Sequence, residues 1–201
     1  MRAGLGRSRG AGRGYTLVEL MMALALLAVS VVGIISLHKV TVVTNGHAKN
    51  LAMAQRIAQA VAGQLQMDST QWVTSIPTDS FLNSPATWQR VPYKLGRGFG
   101  GAFDALGNPL TDAKAGQAAF CTHVRLSPLY PTTMSVAGNA VLRAEIRVFW
   151  LRAGASLPDE MVQLGLCDVN QSAEQARQIG LSTDRYHFVY QTVGVRQHSQ
   201  I

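Results

Sequence analysis

From Tyr15 to Leu37 the chain runs through 23 positions of which Glu19 is the one charged residue. A bilayer-crossing helix needs roughly 20 apolar residues, so the run predicts a spanning helix over 15–37. It exceeds the roughly 7–15 residues of a secretory h-region and no small-x-small site closes it, so cleavage behind it is not expected. Beyond Leu37, apolar side chains recur at three- and four-residue steps in Val40, Val43, Leu51, Ala54, Ala58, Val61 and Leu65, with Lys49, Gln55, Arg56, Gln59 and Gln66 elsewhere. That pattern predicts an amphipathic continuation over 38–67. Asn45-Gly46 should bend or loosen it, because Gly costs about 1 kcal/mol against Ala in a helix and the pair is a turn signal. Unbroken from Tyr15 to Met67, the helix would be roughly 80 Å long, far more than a bilayer is thick, so its second half must pack on a globular domain.

The period then changes. Asp68 to Ala118 is rich in Ser, Thr, Gly and Pro without sustained periodicity, and reads as an irregular connector with one short strand or helix. Three alternating segments follow: Ala119 to Leu126, Val141 to Arg152 and Tyr186 to Arg196. In the second, Leu142, Ala144, Ile146, Val148 and Trp150 oppose Arg143, Glu145, Arg147 and Phe149, which predicts strands buried on one side. Pro128, Pro131, Gly138, Gly154 and Pro158 bound them and suit an antiparallel meander. Ser172 to Ile179 fits a short helix capped by the serine. The expected fold is α+β: a long N-terminal helix, spanning in its first half, laid on a small antiparallel sheet.

Glu19 needs a physical cause. An ionised carboxylate at the centre of a spanning helix costs roughly 2.5–3.5 kcal/mol, less near an interface, and such groups usually have a partner. The run holds no Lys, Arg or His, so a cation must come from outside it; a free α-amine made by cutting the Gly14–Tyr15 bond would serve. The alternative is a signal anchor with a stray Glu near the headgroups. The hexapeptide Gly14-Tyr15-Thr16-Leu17-Val18-Glu19 followed by the apolar helix resembles the class III signal of type IV pilins and type II secretion pseudopilins. The resemblance implies that Gly14 precedes the bond cut by prepilin peptidase, that Tyr15 becomes the N-methylated first residue, and that Glu19 pairs during assembly with the N-terminal amine of a neighbouring subunit. Two positions depart from the family: Phe is commoner where Tyr15 stands, and major pilins have Pro where this chain has Ser36. The missing Pro weighs against a major pilin.

Composition changes meaning in that light. The formal net charge is +7 at pH 7, but Arg2, Arg7, Arg9 and Arg13 fall in the expected leader 1–14, leaving 14 Lys+Arg against 11 Asp+Glu. The high pI of about 9.9, which could suggest nucleic acid, therefore comes chiefly from the leader. Four arginines before the helix, against Lys39 and Lys49 after it, place the N-terminus in the cytoplasm and residues 68–201 in the periplasm.

Candidate chemistry elsewhere is sparse. Trp88, Arg90, Tyr93, Lys94, Arg97 and Phe99 interleave rings and cations as a single-strand binder does, though a surface loop with buried aromatic anchors is favoured. Gly96-Arg97-Gly98-Phe99-Gly100-Gly101 lacks the Lys-Ser/Thr of a phosphate loop. Asp104, Asn108 and Asp112 could offer oxygens to a hard cation, but fall short of the six to eight that calcium takes, and a Gly-Asn-Pro turn is favoured. The only cysteines are Cys121 and Cys167. Oxidation to a disulfide is favoured in a periplasmic domain; Cys121 with His123 as a catalytic or metal pair is the alternative, lacking an orienting acid or further ligands. The five histidines are scattered and no triad or carboxylate pair stands out, so no enzyme, metal or cofactor is expected.

The resemblance implies a structural subunit: a minor type IV pilin, most like the PilV kind through Val31-Val32-Gly33-Ile34-Ile35 and the Ala/Gln-rich helix, that helps prime pilus assembly near the fibre tip and so serves motility and adhesion. A minor pseudopilin of a type II secretion system is the alternative. Implied partners are the prepilin peptidase, other minor pilins and the major pilin, the inner membrane with the assembly machinery, and a tip adhesin; nucleic acid is not expected.

Overall fold

The computed structural model of the protein describes residues 14–69, 86–91, 100–130, 141–157, 165–167 and 171–196. The chain divides into two compact units between Ala48 and Lys49, each treated by itself below. One helix, α1 (Leu17–Ser69), runs through 53 residues across that boundary.

In the first unit every described residue is exposed. The helix there is long and apolar enough to cross a membrane, with a mean hydropathy of 2.7 over its richest window. Its hydroxyls are satisfied internally: Ser30, Ser36, Thr41 and Thr44 each donate to the carbonyl four residues back, at 2.8–3.0 Å. No hydroxyl on this stretch thus needs water, as a hydrocarbon environment demands. The loosened turn predicted at Asn45-Gly46 is not found, since the helical assignment continues through both residues. Helix propagation is cooperative, and about 1 kcal/mol at one glycine does not break so long a ladder.

In the second unit α1 buries one stripe, Ala54, Ile57, Ala58, Val61, Ala62 and Leu65. The stripe starts later than the periodicity implied: Val40, Val43 and Leu51 remain exposed. The connector holds two short strands rather than one element, β1 (Gln89–Arg90) and β2 (Ala102–Phe103), and a 3-10 turn at Asp112–Gln117. Then come β3 (Phe120–Tyr130), β4 (Val141–Leu151), α2 (Ala173–Leu181) and β5 (Tyr186–Arg196). The sheet is antiparallel in the order β1-β3-β4-β5, with β2 also on β3.

The strand that was expected to end at Leu126 runs on to Tyr130, with Pro128 inside it opposite Leu142 and a register shift just beyond. Among the described residues that stretch of β3 has a strand partner on one side only, so a missing N–H is tolerated there. The helix after Ser172 is capped as its sequence implied. Ser172 Oγ accepts from Gln175 N and the Gln175 side chain accepts from Ser172 N, a reciprocal capping box.

The larger departure concerns the second face of the sheet. Arg147 and Phe149, assigned to solvent by alternation, are 2% and 0% exposed. α2 and the 165–167 segment cover them, forming a second apolar cluster of Ala102, Cys121, Phe149, Leu166, Cys167, Ile179 and Tyr186. The sheet is therefore packed on both sides over part of its length. α1 with its sheet gives the α+β, pilin-like layout.

Candidate functional site

At the N-terminal end, Gly14, Tyr15 and Thr16 precede the helix. Thr16 begins it: its Oγ1 accepts the Glu19 N–H at 3.3 Å and its carbonyl accepts the Leu20 N–H. Thr16 is thus the N-cap and Glu19 the third helical residue, where a carboxylate also meets the positive end of the helix dipole. The sequence reading missed this local reason for an acid at 19. The Gly14–Tyr15 bond lies two residues outside the helix in non-helical, exposed backbone, with Tyr15 85% exposed. A peptidase can take hold of such a bond without unwinding anything.

In the second unit the polar chemistry gathers under α2. His123 is fully buried, with Nε2 2.7 Å from Gln171 Oε1. Arg147 donates to its other nitrogen, Nδ1, from Nη2 at 2.8 Å and Nε at 3.2 Å. Since a guanidinium can only donate, Nδ1 must be the bare nitrogen, and Nε2–H donates to Gln171. Gln171 in turn donates to the Leu166 carbonyl, and Arg147 also donates to the Ala176 carbonyl of α2. The Trp88 ring stacks 4.5 Å from the Arg147 guanidinium. Burial first, and the nearby Arg147, push the His123 pKa down to about 3, with the Gln171 hydrogen bond opposing. Burial likewise brings Arg147 down to about 10 against the opposing influence of Tyr190, so it stays cationic.

Cys121 and Cys167 are joined, S–S 2.14 Å, tying β3 to the segment beneath α2. Arg90 reaches Cys167 Sγ at 3.3 Å and Asp112 at 2.5 Å. Cys121 Sγ is 3.9 Å from His123 Nε2, but with the sulfur in a disulfide and both imidazole nitrogens engaged, the pair has neither a nucleophile nor a free ligand atom. Asp104 is also used up. Its carboxylate accepts from Leu106 N, Asn108 N and Asn108 Nδ2 in its own turn, and these bonds, Asn108 first, hold its pKa below the usual carboxylate range. Gly107 takes φ +81° there, beneath Met53, which only glycine adopts without strain. Among the described residues no group of three or more His, Cys, Asp or Glu gathers at metal-binding distance.

Of the interleaved aromatic and basic stretch, Trp88 and Arg90 are in place, while Tyr93, Lys94, Arg97 and Phe99 lie outside the described residues, as does most of Gly96–Gly101. Sequence reasoning missed the Arg147–His123–Gln171 chain. Its one signal, an arginine and a histidine on alternating strands, is also what an exposed sheet face looks like.

No curated protein and no solved structure matches the chain. Residues 10–35, which include the Gly14–Tyr15 bond, Glu19 and the first part of α1, match the prokaryotic N-terminal methylation motif, the mark of pilin-type prepilin signals, and this supports membership of the type IV pilin and pseudopilin group.

Proposed function

We propose that the chain is a minor subunit of a type IV pilus, cut by prepilin peptidase between Gly14 and Tyr15 and methylated on the new Tyr15 amine. The subunit waits in the inner membrane, anchored by the first half of α1 with its globular unit in the periplasm. It then enters the fibre near the tip, where Glu19 neutralises the amine of an adjacent subunit and so helps prime assembly. Its role is structural rather than enzymatic. The observation that carries this reading is the methylation motif at residues 10–35 seated on a helix whose first half is apolar and wholly exposed. Such a surface requires lipid or neighbouring helices around it.

Intact-mass measurement tests the processing step. Wild-type chain should lack the mass of residues 1–14, and Gly14→Val should retain it; equal masses would remove the reading. Immunoblots of sheared surface fibres test the assignment to a pilus. Processed chain confined to the envelope, with protein secretion lost when the chain is deleted, would make it a minor pseudopilin instead.

A further inference from the structure

The face of the sheet turned away from α1 is covered by α2 only in part. The register places Arg147 opposite Tyr190, Glu145 opposite Thr192 and Arg143 opposite Gly194. At the first of these levels Arg147 lies beneath α2, which it touches at Ala176 and beside Gly180. Past it no element among the described residues lies over the face. Tyr190 is 58% exposed, Thr192, Gly194 and Arg196 are exposed, and a Cβ built on Gly194 would meet nothing within 4 Å.

The open part combines two chemistries. Tyr190 is a ring held in one attitude, stacked on Phe188 at 5.8 Å and 25° and met edge-on by Trp88 at 6.3 Å. Along the same face from it stand Arg125 and Arg143, spread over the next levels of β3 and β4, and Arg196, six positions on in β5. Glu145 pairs with Arg125 at 2.5 Å and lies 3.5 Å from Arg143, so three cations face one acid. The linear Trp88–Phe99 motif does not build this surface, because its Arg90 side chain is 6% exposed and bound to Asp112. The cross-strand register does, by bringing residues of β3, β4 and β5 beside Trp88.

We propose that this face binds single-stranded nucleic acid, with a base stacked on Tyr190 and the phosphates along Arg125, Arg143 and Arg196. A positive surface alone would suit any polyanion. A preset, exposed aromatic ring within it selects a polyanion whose repeating units carry flat π faces. From Tyr190 to Arg196 the strand covers roughly 20 Å, enough for a few nucleotides.

The test uses the full chain in detergent micelles and fluorescein-labelled oligothymidine, followed by anisotropy from about 50 to about 200 mM salt. Three phosphate contacts predict that log K falls against log salt with a slope of about −2. Tyr190→Ala should weaken binding by about fivefold or more, from the usual worth of one base stack. Thr192→Glu, an exposed change that puts a second acid among the arginines, should weaken binding and flatten the slope, and it serves if Tyr190→Ala fails to fold. Absence of binding at the lowest salt overturns the proposal. So does binding that both variants leave unchanged, and so does displacement by dextran sulfate together with indifference to Tyr190→Ala, which would mark a generic polyanion surface.

Discussion

Arg147 and His123 meet at the centre of the globular unit as a cation and a neutral base, the guanidinium donating to Nδ1 at 2.8 Å with no carboxylate in the pair. Imidazole is a good enough acceptor to satisfy the arginine only while Nδ1 is bare. Protonation would set two buried cations against each other, with Arg90 close by as a third.

Stability should therefore fall in mild acid. The folded-state pKa of His123, about 3, lies below the ordinary 6.5, so the unfolded chain binds the proton first. The contribution is fully present above about pH 6.5 and is lost as pH falls toward 3, at up to about 1.4 kcal/mol per pH unit. Carboxylates enter only below about pH 5, so the window from about pH 6.5 to pH 5 belongs to the histidine. Urea denaturation followed by tryptophan fluorescence at pH 7 and pH 5 should show the loss in wild type, and His123→Asn should remove most of the difference. A wild-type midpoint that does not move would contradict it.

Gly180 offers a sign reversal. Gly→Ala within a helix ordinarily stabilises by about 1 kcal/mol, but here the new Cβ would run into the Arg147 guanidinium. Gly180→Ala should instead destabilise, by about 1–3 kcal/mol as overpacking does. In an Arg147→Met background the same change should become neutral or favourable. A double-mutant cycle measures the coupling, and additive effects would mean that the two positions do not press on each other.

Loss of the disulfide should cost more. Closing a separation of 46 residues is worth about 4 kcal/mol by chain entropy, with about 2–5 usual for native bridges. Cys121→Ser and Cys167→Ser should each lower the melting temperature, and the double variant should be no worse than either alone. Maleimide should label wild type only after reduction. Ready labelling without reductant would show the thiols free.

Glu19 now has two candidate duties, starting the helix and meeting a neighbour's amine, and Glu19→Gln separates them. Glutamine at the third helical position keeps much of the capping chemistry but loses the charge. The variant should be cut, inserted and stable, yet be depleted from sheared fibres. Equal recovery of variant and wild type in fibres would leave the acid with its local helical role alone.

The legible parts of the fold were those decided by one element and its period. The boundaries of β5, the Ser172 cap and the apolar first half of α1 all follow from local pattern. What alternation could not show was which face of β4 another element would cover. Arg147 reads as a solvent residue, and it is buried because α2, some thirty positions later in the chain, lies over it. The stripe on α1 was read from Val40 although packing begins at Ala54, because apolar periodicity is equally strong where a helix faces lipid and where it faces a sheet. Cys121 and Cys167 were visible as candidates, whereas their place beside Arg90 required the register of β1 on β3.

The Cys121–Cys167 bond also gives the domain a tolerance to nicking. β4 lies wholly inside the stretch that the bond closes, so a backbone cut on either side of it, before Cys167, frees no fragment. β4 would still be hydrogen-bonded by β3 and β5 on its two edges, and both pieces would remain one covalent body. A protease that cuts once between Cys121 and Cys167 thus leaves a subunit that looks cleaved on a reducing gel and whole without reductant.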